Sequence, residues 1–140
     1  MTEGGYDILA IGAAVVTFIL MVVAFYLPRR RWFHMPVMIG VILFDVLMPV
    51  YLYLTRDWYQ RLIEQEEIFM FSIWMHFGLV LTLYALYVLQ IMTARKILAG
   101  DAAARTDHHW QGKAILLVRA LVILTAATLL EPTVVQEGAV

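Results

Sequence analysis

Apolar residues in this chain neither alternate nor keep to one helical face. They run almost unbroken in four stretches separated by charges. The first stretch, Ile8 to Leu27, is uncharged, and the second, Met35 to Leu54, holds one charge, Asp45. The third starts near Ile68 and stays uncharged until Arg95, and the fourth, Ala114 to Leu130, holds only Arg119. At about 1.5 Å of rise per residue, about 20 residues cross the ~30 Å hydrocarbon core of a bilayer. Core helices of a soluble bundle would keep a polar face, and these are apolar nearly all round. The pattern predicts an all-α protein, an integral membrane four-helix bundle. It forms a single transmembrane domain over 1–140, with spans near 8–27, 35–54, 68–92 and 114–130.

Composition sharpens this reading. The chain is 63% hydrophobic and 15% charged, with a mean hydropathy of +0.81, well outside the soluble range. A net charge of −1 gives no basic field for nucleic acid, so no nucleic-acid partner is expected. Cysteine is absent, which excludes disulfides, thiolate metal sites and a cysteine nucleophile. Glu3 and Asp7 precede the first span and Arg29, Arg30 and Arg31 follow it. That is the reverse of a signal peptide, so the first span is expected to be retained.

Lysine and arginine counts in the short loops set the expected direction. The first loop has Arg29–Arg31 and no acid, and the third has Arg95, Lys96, Arg105 and Lys113 against Asp101 and Asp107. The second loop sets Arg56 and Arg61 against four acids, and the ends hold only acids. The N-terminus and the C-terminus are therefore both expected outside, in a multi-pass protein of the bacterial inner (cytoplasmic) membrane. Trp58, Tyr59, Leu62 and Ile63 repeat at helical spacing and predict a short helix in the outer interface. Trp32, Phe33 and Trp110 sit where an inner aromatic belt would lie. Gly100 is expected to cap the third helix, and Thr106 or Asp107 the start of the fourth. The tail from Pro132 shows no periodicity.

Ionisable groups in hydrocarbon are costly and mark function or pairing. Rise from the span ends puts Asp45 about 15 Å and Arg119 about 8–10 Å from the inner face, and His76 about 12 Å from the outer one. An Asp45–Arg119 pair between the second and fourth helices is the plainest reading. Pro49 lacks the amide that would bond the Asp45 carbonyl, leaving an acceptor free beside the carboxylate. At 100° per residue, His34, Met38 and Asp45 share a face of the second helix. His76, Leu83, Tyr87 and Gln90 form a stripe on the third, and His108 and Arg119 share a face of the fourth. By depth, His34 neighbours His108 or His109, while His76 stands alone nearer the outer side.

Neutral imidazole binds metals and haem iron, and thioethers such as Met38 favour Cu(I). His34, His76, His108, His109 and Arg119 are thus candidate cofactor-binding residues. His34, Met38 and His108 form a candidate metal set, for haem or copper if any cofactor is held. The plainer reading has these histidines capping, snorkelling or hydrogen-bonding. Phosphate loops, zincin helices and nucleophile elbows are absent, and no enzymatic activity is expected.

The order of these features resembles the small four-helix, multi-histidine bacterial membrane protein family that includes the cytochrome oxidase maturation factor CtaM. His34-Met35-Pro36-Val37-Met38 matches its His-x-x-x-Met at a span start. Tyr51 or Tyr53, His76, and His108-His109 after a basic loop match further positions, over roughly Arg31 to Leu130. A histidine frequent near the outer end of the family's second helix is replaced here by Tyr53-Leu54-Thr55-Arg56, and Asp45 and Arg119 are not family features. The resemblance implies a respiratory-membrane accessory protein that assists assembly or function of a terminal oxidase or other redox complex, with haem or copper as possible cofactors. The alternative is a cofactor-free, supernumerary subunit of a larger membrane complex.

Overall fold

One proline and one glycine mark the ends of two of the helices. The computed structural model describes residues 3–55 and 67–129, with side chains described for 8–55 and 70–129. Four helices cover them: α1 (Glu3–Tyr26), α2 (Arg31–Thr55), α3 (Glu67–Leu98) and α4 (Ala104–Thr128). Pro28 has no amide to offer the Ala24 carbonyl, so α1 closes with a tighter bond from the Leu27 amide at 3.2 Å. α3 runs six residues past Met92, through Arg95 and Lys96 to Leu98, and is stopped by Gly100, whose φ is +99°. Gly100 N–H bonds the Ile97 carbonyl and Asp101 N–H the Lys96 carbonyl, each at 3.0 Å, the paired closure of a Schellman cap.

The start of α4 differs from the sequence expectation. Neither Thr106 nor Asp107 is the N-cap. The helix begins at Ala104 after Ala103, which makes no side-chain cap bond. Asp101 Oδ1 instead accepts the Ala103 amide at 3.1 Å. α4 thus starts ten residues before its apolar run at Ala114, with Thr106 and Asp107 inside its first turn. The expected interfacial helix at Trp58–Ile63 and the tail from Pro132 lie outside the described residues.

All four helices are long and apolar enough to cross a membrane, so the chain has the build of a multi-pass membrane protein. The most extensive packing joins α3 to α4, and α1 lies against both α2 and α4. Among the described residues a small buried apolar cluster forms from Met21, Val41, Leu83, Tyr87 and Ile115. Mid-helix Leu47 on α2 and Leu117 and Leu124 on α4 are each more than 60% exposed, the reverse of what water would tolerate. The α1–α2 and α3–α4 turns sit at one end of the bundle, because His34 faces His108 there. His76 reaches Thr125 toward the opposite end.

Candidate functional site

Polar side chains gather at three levels along the bundle. The middle level joins every helix. Arg119, only 2% exposed, donates from Nε to Asp45 Oδ2 at 2.9 Å and from Nη2 to Asp45 Oδ1 at 2.8 Å. This bidentate fork is the strong form of a carboxylate–guanidinium contact. Nη2 also donates to Thr17 Oγ1 on α1 at 2.7 Å, and that hydroxyl donates on to the Ala14 carbonyl at 2.9 Å. From α3, the Tyr87 hydroxyl donates to Asp45 Oδ2 and the Tyr84 hydroxyl to the Asp45 main-chain carbonyl at 2.8 Å. That carbonyl is the acceptor Pro49 leaves without its helical amide. Arg119 Nη1 is buried with no partner among the described residues.

At the end that carries the two turns, the His34 and His108 rings stand 6.3 Å apart, centroid to centroid. His34 Nδ1 lies 2.8 Å from the Ala24 carbonyl. A carbonyl can only accept, so Nδ1 is the donor of this contact, and Nε2 is the nitrogen left over for another partner. Ala24 is the residue whose carbonyl Pro28 fails to bond. Pro28 and Pro49 each withhold the usual amide from a helical carbonyl, and a side chain from another helix donates to each, His34 at Ala24 beside the Leu27 amide and Tyr84 at Asp45.

His108 is more fully engaged. Its Nδ1 lies 3.2 Å from Thr93 Oγ1 and its Nε2 lies 3.2 Å from the Gln90 amide nitrogen. Gln111 Oε1 accepts from Thr93 Oγ1 at 2.9 Å, closing a small network between α3 and α4. Gln90 Oε1 is buried without a partner among the described residues. His109, exposed, stacks on Phe25 with centroids 5.3 Å apart. Met38, one turn below His34, packs against the apolar core. Nearer the other end, His76 Nδ1 lies 2.7 Å from Thr125 Oγ1, a hydroxyl that itself donates to main-chain carbonyls of α4.

The structure thus brings together Asp45 with Arg119 and His34 with His108, and it sets His109 and His76 apart from that histidine pair. Among the described residues, no three histidine or acidic side chains converge on a metal-binding point. Sequence reasoning flagged the Asp45 carbonyl but not Tyr84, its donor, nor Thr17, Thr93, Gln111 and Thr125. Hydroxyls spaced along apolar helices carry no signal until a partner helix is placed. Pro28 was a readable signal for the Ala24 vacancy.

Fold and site together define a class: a four-helix protein built to cross a membrane, tied at mid-depth by a buried ion pair and carrying a histidine pair near one end. No family model, curated protein or solved structure matches the chain.

Proposed function

We propose that the protein is an accessory component of the bacterial inner membrane that holds a copper ion or haem iron between His34 and His108 while a terminal oxidase or other redox complex is assembled or maintained. The observation that carries this reading is the 6.3 Å separation of the two rings. Two imidazoles on opposite sides of one ion, at about 2 Å per metal–nitrogen bond, hold their ring centres about 6 Å apart. His34 also has the outer support common to metal-ligating histidines, with one ring N–H fixed on a backbone carbonyl. Met38 on the same helix face supplies a soft sulfur suited to Cu(I). Gly112 lies one turn below His108, and a Cβ there would stand 3.1 Å from the Phe25 ring. Such close packing favours a single ion over a flat macrocycle. Ligation through His108 Nε2 displaces the Gln90 amide, whose contact at 3.2 Å is long.

The deciding measurement is an absorption spectrum with metal analysis on gently solubilised protein. Bound copper, or a haem Soret band, lost in both His34→Ala and His108→Ala supports the reading. Protein that takes up neither copper nor haem overturns it. The satisfied bonds of His108 and the closed Asp45–Arg119 centre favour the second reading, a cofactor-free subunit of a larger membrane complex. That reading expects the same variants to lose stability without any spectroscopic change.

A further inference from the structure

The turn between α1 and α2 and the first residue of α2 carry three successive arginines, uncompensated among the described residues. Arg29, Arg30 and Arg31 are exposed, and none of their guanidinium groups has an ion pair or hydrogen bond among the described residues. The first turn of α2 holds no acid. Tyr26, Leu27, Pro28, Arg29 and Arg30 line a recess of about 390 Å³. The antiparallel order brings the α3–α4 turn to this same end, and with it exposed Arg95, Lys96 and Arg105. So many cations at one end make it attractive to an anion. The two acids of the α3–α4 region, Asp101 and Asp107, are fewer than the bases beside them.

What lies beneath the recess identifies the anion. Val16, Ile19, Leu20 and Val23 recur at helical spacing below Tyr26, all between 41% and 58% exposed. From Val16 to Leu27 this apolar stripe extends about 16 Å. That is about half of the ~30 Å hydrocarbon core, the depth of one leaflet. A soluble polyanion has no use for such a stripe, whereas a phospholipid carries a charged head and leaflet-length tails on one molecule. Trp32, 72% exposed, sits beside the recess at the headgroup level such rings prefer.

We propose that the recess at Tyr26–Arg30 binds the headgroup of an anionic phospholipid, with the acyl chains lying along the exposed face of α1. Arginine forks donate two parallel bonds to a phosphodiester, which Lys cannot match.

The full chain in mild detergent is titrated with phosphatidylglycerol or phosphatidylcholine, and thermal unfolding is followed. Phosphatidylglycerol is expected to raise the midpoint and phosphatidylcholine to leave it unchanged. Near an anionic surface each basic residue strengthens binding by roughly fivefold. Neutralisation by R29Q/R30Q should therefore weaken the lipid effect on the order of thirtyfold. R95Q/K96Q removes equal charge on the other turn and should weaken it less than threefold. Equal losses in the two variants would reduce the site to diffuse attraction and overturn the proposal. So would full competition by millimolar inorganic phosphate, which would make this a free-anion site. Should R29Q/R30Q fail to insert, a headgroup-photoactivatable phosphatidylglycerol tests the unaltered chain. Crosslinks confined to peptides containing residues 26–30 support the site, and crosslinks only elsewhere refute it.

Discussion

A charge inside a membrane protein is governed by its partner more than by its own chemistry. Arg119 and Asp45 are each expensive alone, and their fork also gathers a tyrosine and a threonine hydroxyl. Removing one partner strands the other at a dry level, the state that costs about 3–5 kcal/mol. Asp45→Asn and Arg119→Gln should each destabilise the bundle by about that amount in detergent unfolding, and the double variant should lose less than the sum. Additive losses would show that the pair is not coupled. Tyr87→Phe removes one donor but leaves the fork, so its cost should be about 1–2 kcal/mol. The pair was legible in the sequence because only two charges interrupt the spans of α2 and α4. Tyr84, Thr17 and the threonines were not legible, because a hydroxyl in a helix can always fall back on its own main chain. Thr93 and Thr125 do so even while meeting His108 and His76.

At the scale of the helix, backbone vacancies explain which side chains cross between elements. Pro49 frees the Asp45 carbonyl for Tyr84, and Pro28 frees the Ala24 carbonyl for His34. Tyr84→Phe should cost about 1–3 kcal/mol in the native chain, where it orphans that acceptor. In a Pro49→Ala background the restored amide takes the acceptor, and the same substitution should cost clearly less. Equal costs in both backgrounds would disprove the link between proline and tyrosine. Glycines divide by environment in the same way. At Gly40 an added Cβ meets nothing within 4 Å, whereas at Gly112 it meets Phe25 at 3.1 Å and 3.3 Å. Gly40→Ala should therefore stabilise α2 by about 0.5–1 kcal/mol through helix propensity. Gly112→Ala should fall below it in thermal stability, because Phe25 must shift against its stacked His109.

For the whole molecule, the helix order puts both short turns at one end, and the charge balance predicts which side that end faces. Reporters fused at the two termini should be active only outside the cytoplasm, and one inserted at Gly100 only inside it. An externally active Gly100 fusion would invert the orientation. Insertion in this sense also puts the histidine pair and the lipid recess at the cytoplasmic leaflet. A metal or haem held there would be exchanged with partners on that side, whereas His76 faces the opposite half of the bundle.

Hydrophobic run length and the sparseness of charge were enough to determine four helices long and apolar enough to span a membrane and the Asp45 and Arg119 anomalies, and residue type alone marked the Gly100 stop. These are local properties, set by what one segment can bury or expose in lipid. Helical periodicity also put His34 and Asp45 on one face, and His108 and Arg119 on another, without saying which faces would meet. Only the tertiary structure decided that. It set His34 against His108 while stacking His109 on Phe25, two adjacent residues separated by the 100° turn between them. It also moved the start of α4 up to Ala104, so that neither Thr106 nor Asp107 is the N-cap. An imidazole one residue along a helix points to a different neighbour, and a single sequence does not record which neighbour is there.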